Sequence, residues 1–462
     1  MILLFNRTFN TKNIIYFIFF LMLIFLVQKI ILARFLYDSA AIETLGFGMG
    51  GYVEALKAGN GFKNCDALNM CNYSSRMPGV PLVIYMFSLF SDSQIGISIL
   101  KSIVFSAICL VIFIFIKTND GSNQINVKIL TVYLGTYLVM VLMPTLAKHS
   151  AAIIYEEAYF IELLIPWIVI NSIIIEGIIK KNALNFDKLN SLNMLLSFSF
   201  FMIKSSMIVL FLWAILLFIV VWFLRPTTSV RKHSLLMLSV CIFISSIWVV
   251  HNFNSGGGIK LMSSWDGENL FRGNNAVSAK IYPDISLDRL TDSNSVILRN
   301  GNEVLFSMFP SRKDFENEWE WNSYYKSKSL QWVKEDFISW GRFQGSKAFN
   351  FFLSLRMTPF SVDTDARISE RNFQQLAYDN LVILWLLTGR IFFFSSIFLI
   401  VRDASSHGVK TYTQSIILLI PTFLYAIPYI LGVNYERHIS PFLLMYVALF
   451  FILITTYKIK TE

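Results

Sequence analysis

The chain has 462 residues, enough for about three soluble domains, yet 55% of them are hydrophobic and only 15% are charged, against about 25% charged in an ordinary soluble domain. Its mean hydropathy of +0.57 comes from apolar runs long enough to cross a bilayer, which takes about 20 helical residues, so a soluble enzyme, a disordered chain and a fibrous repeat are excluded. The formal net charge of +9 fits nucleic acid, anionic lipid, phosphate or membrane topology until it is located along the chain.

The first run, Ile14 to Ala33, follows Arg7 and Lys12, is longer than a signal-peptide core and precedes no small-x-small cleavage site; it reads as a retained anchor. Nine more follow: Ile95 to Ile116, Val127 to Leu146, Ala158 to Ile179, Leu192 to Ile203, Met207 to Leu224, Leu235 to Val250, Leu381 to Val401, Tyr412 to Leu431 and Pro441 to Tyr457. Lys204-Ser205-Ser206 divides the fifth run from the sixth, which makes the pair a tight hairpin or one over-long element. The stretch Pro81 to Phe90 is too short to span and is expected to lie at the interface or re-enter it. The expected fold is therefore a polytopic, mainly α-helical membrane protein of about ten spans with a small mixed α/β outer domain. Its expected parts are a transmembrane module over 1–252 with a first outer loop at 34–81, an extracytoplasmic domain at 253–377 and a second transmembrane module over 378–462.

With the N-terminus inside, the cytoplasmic segments hold 14 basic and four acidic residues, whereas 253–377 holds 15 of each. The excess is thus the positive-inside bias of a membrane protein, and a nucleic-acid partner is not expected. Both termini are then cytoplasmic, the two large loops face outward, and an integral protein of a bacterial inner or plasma membrane is the expected setting. Of the four cysteines, Cys109 and Cys241 fall inside spans. Cys65 and Cys71 share the first outer loop, where a disulfide is permitted. The outer loop has alternating apolar and polar stretches such as Ser295 to Phe309, and a helix is expected near Ser327 to Ser339. Its aromatic residues, among them Trp265, Trp319, Trp321, Trp332 and Trp340, suit either core and interface packing or stacking on sugars.

Four polar clusters fall at outward ends of spans. Asp38 directly follows the first span, with Glu43 close behind. In Arg76-Met77-Pro78-Gly79-Val80-Pro81, two prolines and a glycine fix the chain and hold Arg76 near the bilayer surface. Lys148, His149, Glu156 and Glu157 lie between the third and fourth spans, with Glu162 just inside the fourth; a carboxylate within a span is costly and suggests function. Arg437 and His438 lie between the last two spans, and Lys204 sits at the hairpin tip. Cations beside carboxylates at membrane depth suit the holding of a phosphorylated lipid, Arg through bidentate contacts. A P-loop, a His-Glu-x-x-His helix and a Gly-x-Ser-x-Gly turn are all missing, and Gly256-Gly257-Gly258 reads as a hinge.

Three stretches resemble the multi-span GT-C glycosyltransferases, the group of protein O-mannosyltransferases and aminoarabinose transferases that use polyprenyl-phosphate sugars. Tyr52 to Phe62, with Gly59-Asn60-Gly61-Phe62, runs into the Arg76 to Pro81 turn as in that group. Trp248 to Asn252 followed by Trp265 to Asn275 resembles the segment where its chain leaves a span for the outer domain, and Tyr435-Glu436-Arg437-His438 with Pro441 is similar to its outward Arg turn. One departure is Gly48-Met49-Gly50-Gly51, which stands where members carry an acid before the tyrosine.

The resemblance implies inverting sugar transfer from a polyprenyl-phosphate donor to a glycan, lipid or protein acceptor outside the cytoplasm. It makes Asp38 the proton acceptor, with Glu43 second; Arg76, Lys204 and Arg437 hold the phosphate, and His149, Glu156, Glu157 and His438 position donor or acceptor. No cofactor is required, although the carboxylates leave room for a divalent metal. The competing readings are a lipid-linked sugar flippase or transporter, whose repeated halves are not evident, and a non-catalytic assembly subunit that lacks the base.

Overall fold

The computed structural model describes residues 11–37, 41–46, 48–65, 71–119, 123–180, 186–224, 228–283, 287, 295–297, 303–305, 310, 314–354, 373–407, 413–433 and 436–461. It is mainly helical. The apolar runs become α1 (Thr11–Leu36), α4 (Gln94–Asn119), α5 (Asn123–Leu142), α7 (Leu164–Lys180), α8 (Phe186–Ile203), α9 (Ile208–Leu224), α10 (Thr228–Asn252), α15 (Phe373–His407), α16 (Thr413–Leu431) and α17 (Glu436–Thr461). Shorter helices connect them: α2 (Met49–Lys57), α3 (Gly79–Ser88) and α6 (Pro144–Ala151) in the first half, then α11 (Asp266–Arg272), α12 (Ala276–Ile281), α13 (Glu318–Glu335) and α14 (Phe337–Leu353) before α15.

Among the described residues six helices are long and apolar enough to cross a membrane: α1, α4, α9, α10, α15 and α17. The expected span Val127 to Leu146 is instead bent by 90° between α5 and α6, where Pro144 begins a new helix; proline favours that first-turn position because its missing N–H is not needed there. The expected span Ala158 to Ile179 is helical only from Leu164. Its first residues form a 3₁₀ turn, Glu156–Tyr159, whose surroundings satisfy the freed backbone. Lys101 donates to the Ala152 carbonyl, Tyr159 donates to that of Ile153 at 2.8 Å, and the Tyr37 hydroxyl accepts from Ile153 N at 2.7 Å. Irregular backbone at membrane depth requires such partners.

The pair α8 and α9 is a hairpin. Lys204 is extended between them and Ser205–Met207 forms a 3₁₀ turn, after which α9 packs back along α8. A ladder of side-chain hydrogen bonds ties this hairpin to α7: Trp167 to Ser197 at 2.7 Å, Asn171 to Asn193 at 2.9 Å and Trp213 to Asn171 at 3.0 Å. Such bonds between apolar helices fix rotation where burial alone does not. Helix α17 is the centre of the bundle, 78% buried over its apolar window against at most 39% for the other five, and it packs on α5, α7, α15 and α16.

Strand is sparse among the described residues. Asn64–Cys65 (β1) pairs with Cys71–Asn72 (β2), and Cys65 is disulfide-bonded to Cys71. Ser295–Ile297 (β3) pairs with Glu303–Leu305 (β4). The helix expected near Ser327 to Ser339 is two helices, α13 and α14, meeting at Asp336, whose carboxylate caps α14 through Ser339 N at 3.1 Å. Trp319, Trp321 and Tyr325 on α13 are buried, so for these three the packing reading holds.

Candidate functional site

Three of the four polar clusters, together with Lys204, meet at one end of the bundle. Glu156 and Glu157 are presented by the 3₁₀ turn before α7, Lys204 by the α8–α9 turn, Arg76 by the segment leading into α3, and Arg437 with His438 by the first turn of α17. Arg76 Nη1 lies 3.3 Å from Glu156 Oε1, and Lys204 Nζ lies 3.2 Å from Glu156 Oε2. Lys204 also pairs with Glu157, which is 3.1 Å from His438 Nε2 and 3.9 Å from Arg437 Nε. Aromatic faces hold the same cations: Arg76 over Trp265 at 4.2 Å, Arg437 over Tyr155 at 4.7 Å and Lys204 over Tyr429 at 5.3 Å. The Tyr429 ring in turn stacks on His438 with centroids 4.3 Å apart. Each cation therefore has a carboxylate and a π face, the two settings that stabilise charge away from bulk water.

Burial by itself would raise the Glu157 carboxyl, but Lys204 first, then His438 and Arg437, hold it well below the usual carboxylate range. Burial opposes the charge of Lys204 as well, and Glu157, Tyr429 and Glu156 more than offset it, so the ammonium is held above its ordinary value. Both groups are therefore charged at neutral pH.

Close backbone approach brings the segments together. A Cβ on Gly79 would lie 2.6 Å from the Met202 carbonyl oxygen and 3.0 Å from Ile203 Cα, so only glycine lets α3 begin against the end of α8, immediately before Lys204. Similarly, a Cβ on Gly273 would lie 2.1 Å from the Gly432 oxygen, where α11 meets the end of α16. Lys347 on α14 crosses that junction and donates to Gly273 O at 2.7 Å and Gly432 O at 2.9 Å; burial lowers its pKa well below the ordinary lysine value.

The Arg76 segment is positioned by Glu318, which no sequence pattern isolates, and by Tyr52 of the first resembling stretch. Glu318, the first residue of α13, accepts from Tyr73 N at 2.9 Å and Ser74 N at 2.8 Å through one oxygen, and from the Ser264 hydroxyl at 2.6 Å through the other. Tyr52, fully buried, shares a 2.8 Å hydrogen bond with the Ser75 hydroxyl and stacks on Phe62 at 4.4 Å. Phe62 meets Trp248 and His251 edge-on, and His251 reaches the Tyr73 carbonyl at 2.8 Å. Tyr52, Phe62, Arg76, Trp248 and Trp265, drawn from two of the resembling stretches, are thus contiguous in space.

Asp266 was not among the residues expected at the site. Its Oδ1 accepts from the Ser205 hydroxyl at 2.7 Å, one residue beyond Lys204, while the adjacent Trp265 carries Arg76. Burial, opposed by the Ser205 and Ser263 hydroxyls and reinforced by Glu156, pushes its carboxyl up to about 6. Beyond its place in the Trp265 to Asn275 stretch, its sequence signal is an acid in the first turn of a short helix, which ordinarily marks nothing more than a helix start.

One expected member of these clusters lies elsewhere. Glu162 is buried in the bundle, paired with Lys29 and accepting from Ser150 at 2.5 Å and Ser106 at 3.3 Å; it braces α1, α4 and α6 and does not join Glu156. His149 is buried on α6. Asp38 and the Glu43 side chain lie outside the described residues. Among the described residues no group of three His, Cys, Asp or Glu is placed to hold a metal ion.

Comparison of the chain with protein-family models, characterised proteins and solved structures finds no match.

Proposed function

We propose that this chain is a membrane glycosyltransferase that moves a sugar from a polyprenyl-phosphate donor to an acceptor on the extracytoplasmic face of a bacterial inner membrane. The observation that carries this reading is the convergence of Arg76, Lys204 and Arg437 from three distant segments onto Glu156 and Glu157. Three cations set against Glu156 and Glu157 at the end of a helical bundle suit one phosphate of a lipid whose chain lies in the bilayer. Charge developing on the leaving phosphate is stabilised by groups already in place, the kind of electrostatic preorganisation that lowers barriers most. The resemblance to GT-C transferases supports the same chemistry, and by that resemblance alone the proton acceptor would be Asp38 or Glu43.

The ten-span arrangement belongs to this reading. The six long apolar helices are joined by the bent α5–α6 pair, by the shorter apolar stretches Leu164–Ile179 and Ile416–Leu431, and by α8. Both termini then face the cytoplasm, and the cluster lies outside.

The test is transfer by the purified protein in lipid vesicles, supplied with a panel of tritiated undecaprenyl-phosphate hexoses and a detergent extract of envelope glycans, lipids and proteins. Transfer abolished by Lys204→Met and Arg437→Ala supports the reading. Donor crossing the bilayer without transfer favours a flippase, and neither binding nor transfer leaves an assembly subunit.

A further inference from the structure

Asp266 differs from every other acid at the cluster. Glu156 and Glu157 are spent on cations, and Glu318 uses both oxygens on backbone and hydroxyl donors. Asp266 has a hydrogen bond to Oδ1 from Ser205; Oδ2 is buried and accepts no hydrogen bond of ordinary geometry among the described residues, the Ser263 hydroxyl and amide being the donors turned toward the carboxylate. A buried acceptor without a donor costs folding free energy, and such cost concentrates where a ligand completes the bonding. Ser205, which holds Oδ1, adjoins Lys204 in the chain, and Trp265, which precedes Asp266, carries Arg76.

On the reading of the cluster as a phospho-sugar site, we propose that Asp266 is the proton acceptor of the reaction, its Oδ2 receiving the hydrogen of the acceptor hydroxyl. The acceptor oxygen forms its bond to the anomeric carbon as its proton passes to Asp266. The bond from that carbon to the phosphate oxygen breaks, and the electron pair stays with the polyprenyl phosphate. The phosphate thus changes from a diester with one negative charge to a monoester that carries more, while Asp266 beside it loses its own. The charge of the pocket as a whole is conserved through the step, so no charge has to be brought in from water. The proton leaves Asp266 for solvent when products depart.

The groups facing Asp266 are the Ser205 and Ser263 hydroxyls, the Ser263 amide and the Glu156 carboxylate. Burial and Glu156 raise its carboxyl to about 6, while the two hydroxyls oppose the rise. A general base is most effective with a pKa near the working pH. Because the folded value lies above the ordinary 3.8, ionised Asp266 destabilises the fold: the stability present at low pH is lost as pH rises through the interval from 3.8 to about 6.

The experiment compares wild type, Asp266→Asn, Asp266→Glu and Asp38→Asn in the vesicle assay, with retention of tritiated undecaprenyl-phosphate hexose measured separately from transfer. Asp266→Asn is expected to bind donor within about three-fold of wild type, to transfer at least about 100-fold more slowly, and to lose the acidic limb of the transfer rate near pH 6. Its thermal stability at pH 8 should equal or exceed that of wild type, and Asp266→Glu should recover part of the rate. Transfer by Asp266→Asn within a few-fold of wild type, with Asp38→Asn inactive, overturns the assignment and leaves the transferase reading standing. Loss of donor binding in Asp266→Asn makes Asp266 a donor-holding group and also overturns it. A wild-type protein that neither binds nor transfers any donor of the panel removes the underlying reading, and the assignment with it.

Discussion

Replacing Lys204 by methionine keeps most of the aliphatic stem and deletes the charge on which the cluster turns. The ammonium lies 3.2 Å from Glu156 and pairs with Glu157, whose side chain is only 4% exposed. At an effective dielectric of ~20, a pair of unit charges at that distance attracts by about 5 kcal/mol before desolvation. Removing one partner of a buried pair strands the other and costs about 3–5 kcal/mol; because Arg76 and Arg437 also approach the two carboxylates, the lower end of that range is expected. The assay is denaturant or thermal unfolding in detergent micelles, followed by tryptophan fluorescence, for Lys204→Met, Glu157→Gln and the double variant. The double variant should be more stable than the sum of the single losses by about 1–3 kcal/mol, the coupling typical of residues in contact. The sign of the pH dependence follows from both partners. Depressed Glu157 contributes stability above pH 4.5, lost as pH falls through its folded value, and raised Lys204 contributes below pH 10.5, lost as pH rises further. The coupling should therefore be flat between about pH 5.5 and 9.5. A Lys204→Met protein within about 1 kcal/mol of wild type, or additive single losses within ~0.5 kcal/mol, refutes the argument.

Gly79→Ala should separate the start of α3 from the end of α8, because its Cβ would overlap the Met202 carbonyl; a loss of about 1–3 kcal/mol is expected, together with weakened donor retention as Arg76 moves from Glu156. Glu318→Ala removes an acceptor shared by two backbone amides and a hydroxyl and should cost roughly 3 kcal/mol, measured by the midpoint of unfolding, with faster amide exchange at Tyr73 and Ser74. Arg437→Ala should weaken retention of undecaprenyl-phosphate hexose by about ten-fold or more, since a charge-assisted contact is worth roughly 1.5–3 kcal/mol. Arg437→Lys should recover little of that loss, because lysine cannot reproduce the planar fork or its stacking on Tyr155. Unchanged retention in either Arg437 variant would remove this residue from the phosphate site.

What the sequence by itself determined is the solvent and the inventory. Hydropathy specifies a mainly helical protein with helices able to cross a membrane, because the length of an apolar run is a local property of the chain. The cost of placing charge beside lipid singled out Arg76, Glu156, Glu157, Lys204 and Arg437 before any geometry was known. Partner choice was left to the tertiary structure. Glu156 and Glu162 carry the same signal in the sequence, yet one faces Arg76 and Lys204 while the other is locked to Lys29, on a helix 133 residues away in the chain. Asp266 reads as an ordinary acid at a helix start until α11 is seen against the Lys204 turn. The 90° break after α5 and the late start of α7 were likewise hidden, since both stretches are apolar enough to continue as helix. Hydrophobicity is read residue by residue, whereas an ion pair, a Gly79-sized approach or an acceptor left without its donor exists only after distant segments have packed.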